Sequence, residues 1–292
     1  MYKYKYNLFA MGLITQSDCC GEIYYRNYYK PVVKNVNKAQ TTEIPILTYH
    51  SIDNRGSVIS TSPETFRKQM QILGDADFNV ISLKTLGKSL LENVALPPKT
   101  IVLTFDDGFQ NFYTTAFPIL NEYNFPATVF LITDYCGKFN DWAGNLPTLE
   151  SSKLMDWNEI KELSKNNIEF AAHSRTHPDL TKLNTEKATR EIVESKLTLE
   201  ERLGVEVTDF AYPYGKYNLP IKQLTKKYFR TACSTRLGKV QAGDDLFSLK
   251  RVDTYYLSND HVFNSILSVN FNLYLNFRQI LRDLKQVLSY GK

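Results

Sequence analysis

The sequence has few of the residues that most often build special sites. It contains four cysteines, four histidines and two tryptophans in 292 residues. None of the cysteines forms a Cys-x-x-Cys pair, which argues against a thiolate zinc site. Cys19 and Cys20 are adjacent, so a disulfide between them would be strained. We expect Cys136 and Cys233 to be free, mostly buried thiols.

The sequence also lacks a charge excess and a long apolar run. Its 35 basic and 31 acidic residues leave a net charge of +4 with no Lys/Arg cluster, so nucleic acid is not an expected partner. No segment is long and apolar enough to span a bilayer. With 43% hydrophobic and 23% charged residues, the composition is typical of a globular protein with one large domain.

The N-terminal segment has some features of an export signal. Lys3 and Lys5 precede the short apolar stretch 8–14, as in the basic start of a secretory signal. Asp18 before Cys19 does not fit a lipoprotein processing site. We expect residues 1–43 to be a leader and linker, leaving export signal, membrane-surface anchor and plain extension as open alternatives, and residues 44–292 to be the folded domain.

The rest of the chain alternates between strand and helix patterns. The segment 100–105 is unbroken and apolar, as an interior parallel strand should be, and 127–132 and 168–172 are similar. Helices are predicted from Ser62-Pro63, across 185–203 and from about Asp260 onward. Repeated strand–helix units predict a parallel sheet of the α/β class that closes into a barrel, with its chemistry at the carboxyl ends of the strands.

Polar or tightly turned groups follow four of the predicted strands. They are His50, the pair Asp106-Asp107 before Gly108, the pair His173 and His177, and the turn Tyr212-Pro213-Tyr214-Gly215. If the strands are parallel, all four groups lie on the same rim of the barrel.

The residue types at this rim suit a hydrolytic metal site. Two imidazoles and one carboxylate can bind a divalent ion and leave an open position. Of the adjacent aspartates, one can bind the ion while the other faces the reacting water. Pro178 disfavours a helix at His177, so a loop is expected there. The alternatives are structural histidines and an ordinary aspartate turn before glycine.

These motifs resemble those of the NodB-type polysaccharide deacetylases, carbohydrate esterase family 4. Thr104-Phe105-Asp106-Asp107-Gly108 matches the family's first motif. His173-Ser174-x-x-His177-Pro178 matches the second, and Ala211-Tyr212-Pro213-Tyr214-Gly215 matches part of the third. The resemblance covers residues 44 to 253. It implies a distorted (β/α)7 barrel in which Asp107, His173 and His177 bind the metal and Asp106 is the general base. It also implies that the backbone N–H of Tyr214 helps to hold the oxyanion.

Two departures from the family pattern leave two roles open. The third motif commonly begins with an arginine that orients the base, and here that position is Ala211; we hypothesise that Arg251 serves instead. The late Leu-x-His motif that supplies the general acid is missing, and His261 does not match it. A circularly permuted subset carries this histidine on an early strand, and Tyr49-His50-Ser51-Ile52 resembles that arrangement, so His50 is the expected acid.

The same subset indicates the substrate, because it includes deacetylases of poly-β-1,6-N-acetylglucosamine in the biofilm matrix. The resemblance therefore implies hydrolysis of N-acetyl groups from an N-acetylglucosamine-containing polysaccharide in an extracytoplasmic place (secreted, periplasmic or at the cell surface). The expected cofactor is a divalent metal, zinc first, with cobalt or nickel as alternatives. An O-acetyl esterase acting on a xylan-type glycan and a catalytically impaired glycan-binding domain remain as alternatives.

Overall fold

The structure, a computed structural model, describes residues 43–145 and 148–290, with side chains described as far as Lys285. The predicted leader and linker thus lies outside the described residues except for Glu43. Among the described residues, no helix is both long and apolar enough to cross a membrane.

Seven parallel strands form a closed barrel. The barrel strands are β1 (Ile46–Tyr49), β5 (Thr100–Phe105), β6 (Ala127–Leu131), β7 (Ile168–Ala172), β8 (Asp209–Ala211), β9 (Thr231–Leu237) and β10 (Leu249–Asp253). Their order around the ring is β1, β10, β9, β8, β7, β6, β5, and β5 pairs with β1 to close it. The predicted (β/α)7 barrel is confirmed.

Three further strands among the described residues lie outside the ring. β4 (Asn79–Ile81) pairs in parallel with the first half of β5, and β2 (Ser51–Ile52) pairs with β3 (Ser60–Thr61). The short β2–β3 pair was not predicted, because two residues are too few to show an alternating pattern.

Helices follow most of the barrel strands and cover the outside of the ring. They are α1 (Pro63–Asp75), α2 (Leu83–Glu92), α3 (Phe117–Glu122), α4 (Trp157–Leu163), α5 (Thr185–Leu203), α6 (Leu219–Tyr228), α7 (Asp260–Asn264) and α8 (Val269–Tyr290). Caps set several of these bounds. The Ser62 hydroxyl accepts the Thr65 N–H at the start of α1, and Gly204 ends α5 in the left-handed conformation.

An aromatic cluster packs between the ends of β1 and β5 and the helical segments outside the ring. Tyr49 stacks on Phe105 at 5.1 Å, and Phe66 and Phe112 meet the Phe105 ring edge-on. The buried Tyr49 hydroxyl donates to the Gln69 side chain at 2.7 Å. This packing fixes the ends of β1 and β5. It therefore also fixes the start of the segment that follows each strand, where His50 and Asp106 lie.

Candidate functional site

The predicted polar groups meet at the carboxyl end of the barrel. His50 follows β1, Asp106 and Asp107 follow β5, and His173 follows β7. The backbone hydrogen bond from Asp106 N–H to the Tyr49 carbonyl, 2.9 Å, ties the first two of these loops together. In parallel barrels this rim carries the active site.

Asp107, His173 and His177 form a buried cluster whose ligand atoms converge. The Nε2 atoms of His173 and His177 lie 3.5 Å and 3.6 Å from Asp107 Oδ1. The two Nε2 atoms are 3.2 Å apart. All three side chains are buried, and one ligand atom from each lies within 4.8 Å of the others. Two imidazoles and one carboxylate in this arrangement match the ligand set of a mononuclear hydrolytic metal site.

Hydrogen bonding prepares His173 to act as a ligand. Its Nδ1 lies 2.8 Å from the carbonyl oxygen of Ala211, which can only accept, so Nδ1 carries the proton and Nε2 presents a lone pair to the cluster. The Ala211 side chain departs from the family pattern, but this contact uses only its backbone.

The electrostatics of the cluster also fit a cation. Burial, together with the neighbouring His173, holds the pKa of His177 well below its usual value, so this ring is neutral as metal binding requires. Burial raises the pKa of Asp107, because it destabilises the anion more than the neighbouring His50, His173 and Arg251 stabilise it. A divalent ion between these three side chains would stabilise the Asp107 anion further, so the residues present fit the group.

The loop after β7 positions both histidines. The His177 N–H donates to the Ser174 hydroxyl at 3.0 Å, and the Glu191 carboxylate of α5 accepts the N–H groups of Arg175 and Thr176. The segment between β7 and the short 3₁₀ turn at Leu180–Lys182 is a loop, as Pro178 predicted.

Asp106 forms a two-bond ion pair with Arg251 from β10. Both carboxylate oxygens accept guanidinium N–H groups at 2.7 Å, and Arg251 Nε donates to the Ser234 carbonyl. Both side chains are buried. Although burial alone would raise it, the guanidinium holds the pKa of Asp106 below its usual range, so this carboxylate is ionised.

His50 and Tyr214 complete the rim on either side. His50 Nε2 lies 3.9 Å from Asp106 Oδ2, and this side chain is 25% exposed, so it reaches both the carboxylate and solvent. The Tyr214 ring packs against His177 with centroids 4.5 Å apart. The structure thus brings together all seven residues that the sequence singled out.

The backbone is strained at the same rim. Among the described residues, eight non-glycine residues have positive φ, and four of them are Asp107, Ser174, His177 and Tyr214. Such conformations cluster at functional sites because the surrounding structure must hold them. Gly108, at φ +75°, also admits no side chain, since a Cβ there would lie 2.5 Å from Leu131 Cδ2.

Trp142 is a site residue that the sequence reasoning missed. It is buried, and its ring lies 4.9 Å from that of His177 and 5.6 Å from that of Tyr135. It comes from the loop between β6 and α4, where no strand end or motif marks it. Its rarity, as one of two tryptophans, was the only indication available.

Known proteins that are similar to this chain are found by sequence and by structure. A family model described as polysaccharide deacetylase matches residues 93–232, which include all three motifs. The poly-beta-1,6-N-acetyl-D-glucosamine N-deacetylase of Staphylococcus epidermidis is 27% identical over 211 residues, covering 69% of this chain and 69% of that protein.

Two solved structures share the fold. The Streptococcus pyogenes deacetylase PplD, in complex with acetate, has a TM-score of 0.65 and 27% identity, covering 73% of this chain and 92% of PplD. IcaB from Ammonifex degensii has a TM-score of 0.65 and 20% identity, covering 80% of this chain and 98% of IcaB. These similarities confirm the resemblance predicted from the motifs.

Proposed function

We propose that this chain is a polysaccharide deacetylase, a metal-dependent enzyme that hydrolyses N-acetyl groups of an N-acetylglucosamine-containing polysaccharide. The observation that carries the proposal is the buried convergence of Asp107, His173 and His177, with the separately held carboxylate of Asp106 beside it. Pure glycan binding does not require such a set.

Asp107, His173 and His177 are the proposed metal ligands. A divalent ion bound there supplies Lewis acidity for the acetyl carbonyl and makes nearby water more acidic. Zinc suits this ligand set best, with cobalt or nickel as alternatives. The Ala211 carbonyl keeps His173 in the tautomer that presents Nε2.

Asp106 is the proposed general base, and Arg251 positions it. The Arg251 guanidinium keeps the Asp106 carboxylate ionised, which is the form that can accept a proton from water. The two hydrogen bonds from Arg251 restrict the carboxylate to one orientation, which a single cationic group such as lysine would not do. In this way an arginine from β10 does what the family's third motif assigns to the position of Ala211.

His50 is the proposed general acid for the departing amine. Its side chain is partly exposed beside the buried Asp106, so a sugar nitrogen can approach it. The N–H of Tyr214 is proposed to donate to the oxyanion, and the left-handed backbone at this residue holds that turn in place.

The substrate proposed is a poly-β-1,6-N-acetylglucosamine-like polymer of the biofilm matrix or cell envelope. Support comes from the Staphylococcus epidermidis relative, whose name specifies that polymer and to which this chain is similar over 69% of its length. A polymer of this kind is outside the cytoplasm, so an extracytoplasmic location follows, and we propose that residues 1–43 serve export or membrane-surface attachment.

The substrate assignment is tested by comparing acetate release from two substrates. The purified full chain is incubated with N-acetylated β-1,6-glucosamine oligosaccharides and, in parallel, with acetylated xylan. The proposal predicts release from the first and little from the second. The reverse preference would establish an O-acetyl esterase, and tight glycan binding with no acetate from either would establish a binding domain.

Replacing Arg251 by lysine tests its positioning role. We expect Arg251→Lys to lower kcat by about 10- to 100-fold, because the Asp106 carboxylate loses its second hydrogen bond and its fixed orientation. The zinc content should stay the same, since Arg251 contacts none of the three ligands. Arg67→Lys is the matched control, because two guanidinium nitrogens of Arg67 donate to the two carboxylate oxygens of Glu122 in the same way on the surface. An unchanged kcat in Arg251→Lys would show that Arg251 is not needed to position the Asp106 carboxylate.

Replacing His50 by alanine tests the acid role through the leaving group. We expect His50→Ala to lower kcat on the N-acetyl substrate by about 10²- to 10⁴-fold. Loss on 4-nitrophenyl acetate should be much smaller, because nitrophenolate leaves without needing a proton. Equal losses on the two substrates would show that His50 does not protonate the leaving group.

A further inference from the structure

The C-terminal helix α8 presents an apolar face that nothing among the described residues covers. Its six apolar side chains are between 42% and 78% exposed: Val269, Leu273, Phe277, Ile280, Leu281 and Leu284. The six exposed fractions correspond to about three and a half fully exposed side chains, or roughly 500–700 Å². That is as large as the largest apolar patch on a typical monomer, which is about 300–600 Å² and often functional.

The opposite face of α8 fixes the helix to the barrel. Phe271 and Leu275 are buried against it, and the Gln279 side chain accepts the N–H of Leu237 in β9 at 2.8 Å. The Tyr274 hydroxyl donates to the Tyr256 carbonyl. The barrel contacts therefore leave the second apolar face pointing outward, and no rotation can bury both faces on the same barrel.

The spacing of the exposed residues is that of a helix-pairing seam. Leu273, Phe277, Ile280 and Leu284 follow one another at intervals of four, three and four residues. This is the a/d pattern of a coiled coil, in which each side chain inserts between those of a second helix.

The charges near the seam favour a helix over a lipid surface. The exposed residues at its edges include one acid and one base, Asp283 and Lys285, which cancel, and the uncharged Asn276. A helix that lies on an anionic membrane is rich in Lys and Arg beside its apolar face. The basic Arg278 instead packs over Tyr256 and Tyr274, toward the barrel.

We propose that α8 is the interface of a homodimer, in which the seam of one copy packs against the same seam of a second copy. An isologous pairing of two such faces is the commonest way in which soluble chains associate. The apolar patch supplies most of the approximately 800 Å² that each partner buries in a standard interface, and the flanking polar residues supply the rest. The inference goes beyond the deacetylase proposal, and neither depends on the other.

The test compares the solution mass of the wild-type chain with that of a variant that carries charged substitutions in the seam. Sedimentation equilibrium from 1 to 100 µM should give a reversible dimer of twice 33.7 kDa. The double variant Phe277→Glu/Leu284→Glu should raise the dissociation constant by about 100-fold or more, since it would bury unpaired charges. Leu197→Glu on α5 is the matched control, because Leu197 and Leu284 are both 55% exposed, and it should remain dimeric.

Circular dichroism melting shows whether each variant is folded. Acetate release per chain is measured in the same samples, so that loss of the dimer can be distinguished from loss of the proposed deacetylase activity. A wild-type chain that is monomeric at 100 µM, or a double variant that still dimerises, would overturn the proposal. So would a monomer that binds phosphatidylglycerol vesicles through wild-type α8 but not through the double variant, since the helix would then be a membrane-surface element.

Discussion

Asp106→Asn is expected to lower kcat by about 10²- to 10⁴-fold while the protein keeps its metal. The amide cannot take a proton from water, and general base catalysis is typically worth this factor. Metal content should be unchanged, because Asp107, and not Asp106, faces the two histidines. The measurement is acetate release from N-acetylated β-1,6-glucosamine oligosaccharides, with zinc quantified in the same samples.

The same substitution should also weaken the fold. Arg251 is buried with Asp106 as its anionic partner, and a buried charge without its partner costs about 3–5 kcal/mol. Asparagine can still accept one hydrogen bond, so we expect a loss near the lower end of that range in the free energy of unfolding. Activity is therefore compared at a temperature where circular dichroism shows both proteins folded, with exposed Asp75→Asn as the control. Full activity in Asp106→Asn would exclude it as the base.

His173→Ala is expected to abolish both stoichiometric metal binding and catalysis. The substitution removes one of three converging ligand atoms and leaves the Asp107 carboxylate facing a single imidazole. Metal activation contributes several kcal/mol to the transition state, so the fall in kcat should be about 10³-fold or more. Inductively coupled plasma analysis after dialysis against zinc gives the metal content, and acetate release gives the rate.

His261→Ala is the control for this substitution. His261 is exposed at the start of α7, and its side chain is not part of the rim. It should bind metal and turn over as the wild type does. If His173→Ala retained one zinc per chain, the assignment of the ligands would be wrong even if activity were lost.

The elements that the sequence predicted best are those whose local pattern decides the structure. β5 and β7 have the predicted bounds, because an unbroken apolar run fits only a strand covered on both faces. α5 also has its predicted bounds, between the Asn184 cap and Gly204. The end of β9 at Leu237 could not be predicted in this way, because its pairing with β10 continues where the apolar pattern has ended.

Only the site residues that lie in short motifs or directly after a strand could be predicted from the sequence. Asp106, Asp107, His173 and His177 are placed by short motifs directly after strands. The contact between Arg251 and Asp106 joins residues 145 positions apart, and only the closure of the barrel brings them together. Trp142 depends on a loop path that no periodicity encodes. The outward apolar face of α8 could not be predicted either, because the sequence pattern of a helix with two apolar faces does not show which face is exposed.

The most direct test of the account is a metal titration of the chelated protein. The full chain is treated with EDTA and dialysed, and acetate release from N-acetylated β-1,6-glucosamine oligosaccharides is followed as Zn²⁺, Co²⁺ or Ni²⁺ is added. The account predicts that chelation abolishes release and that activity returns to a plateau at one ion per chain. Acetate release that persists undiminished in the metal-free protein would contradict it.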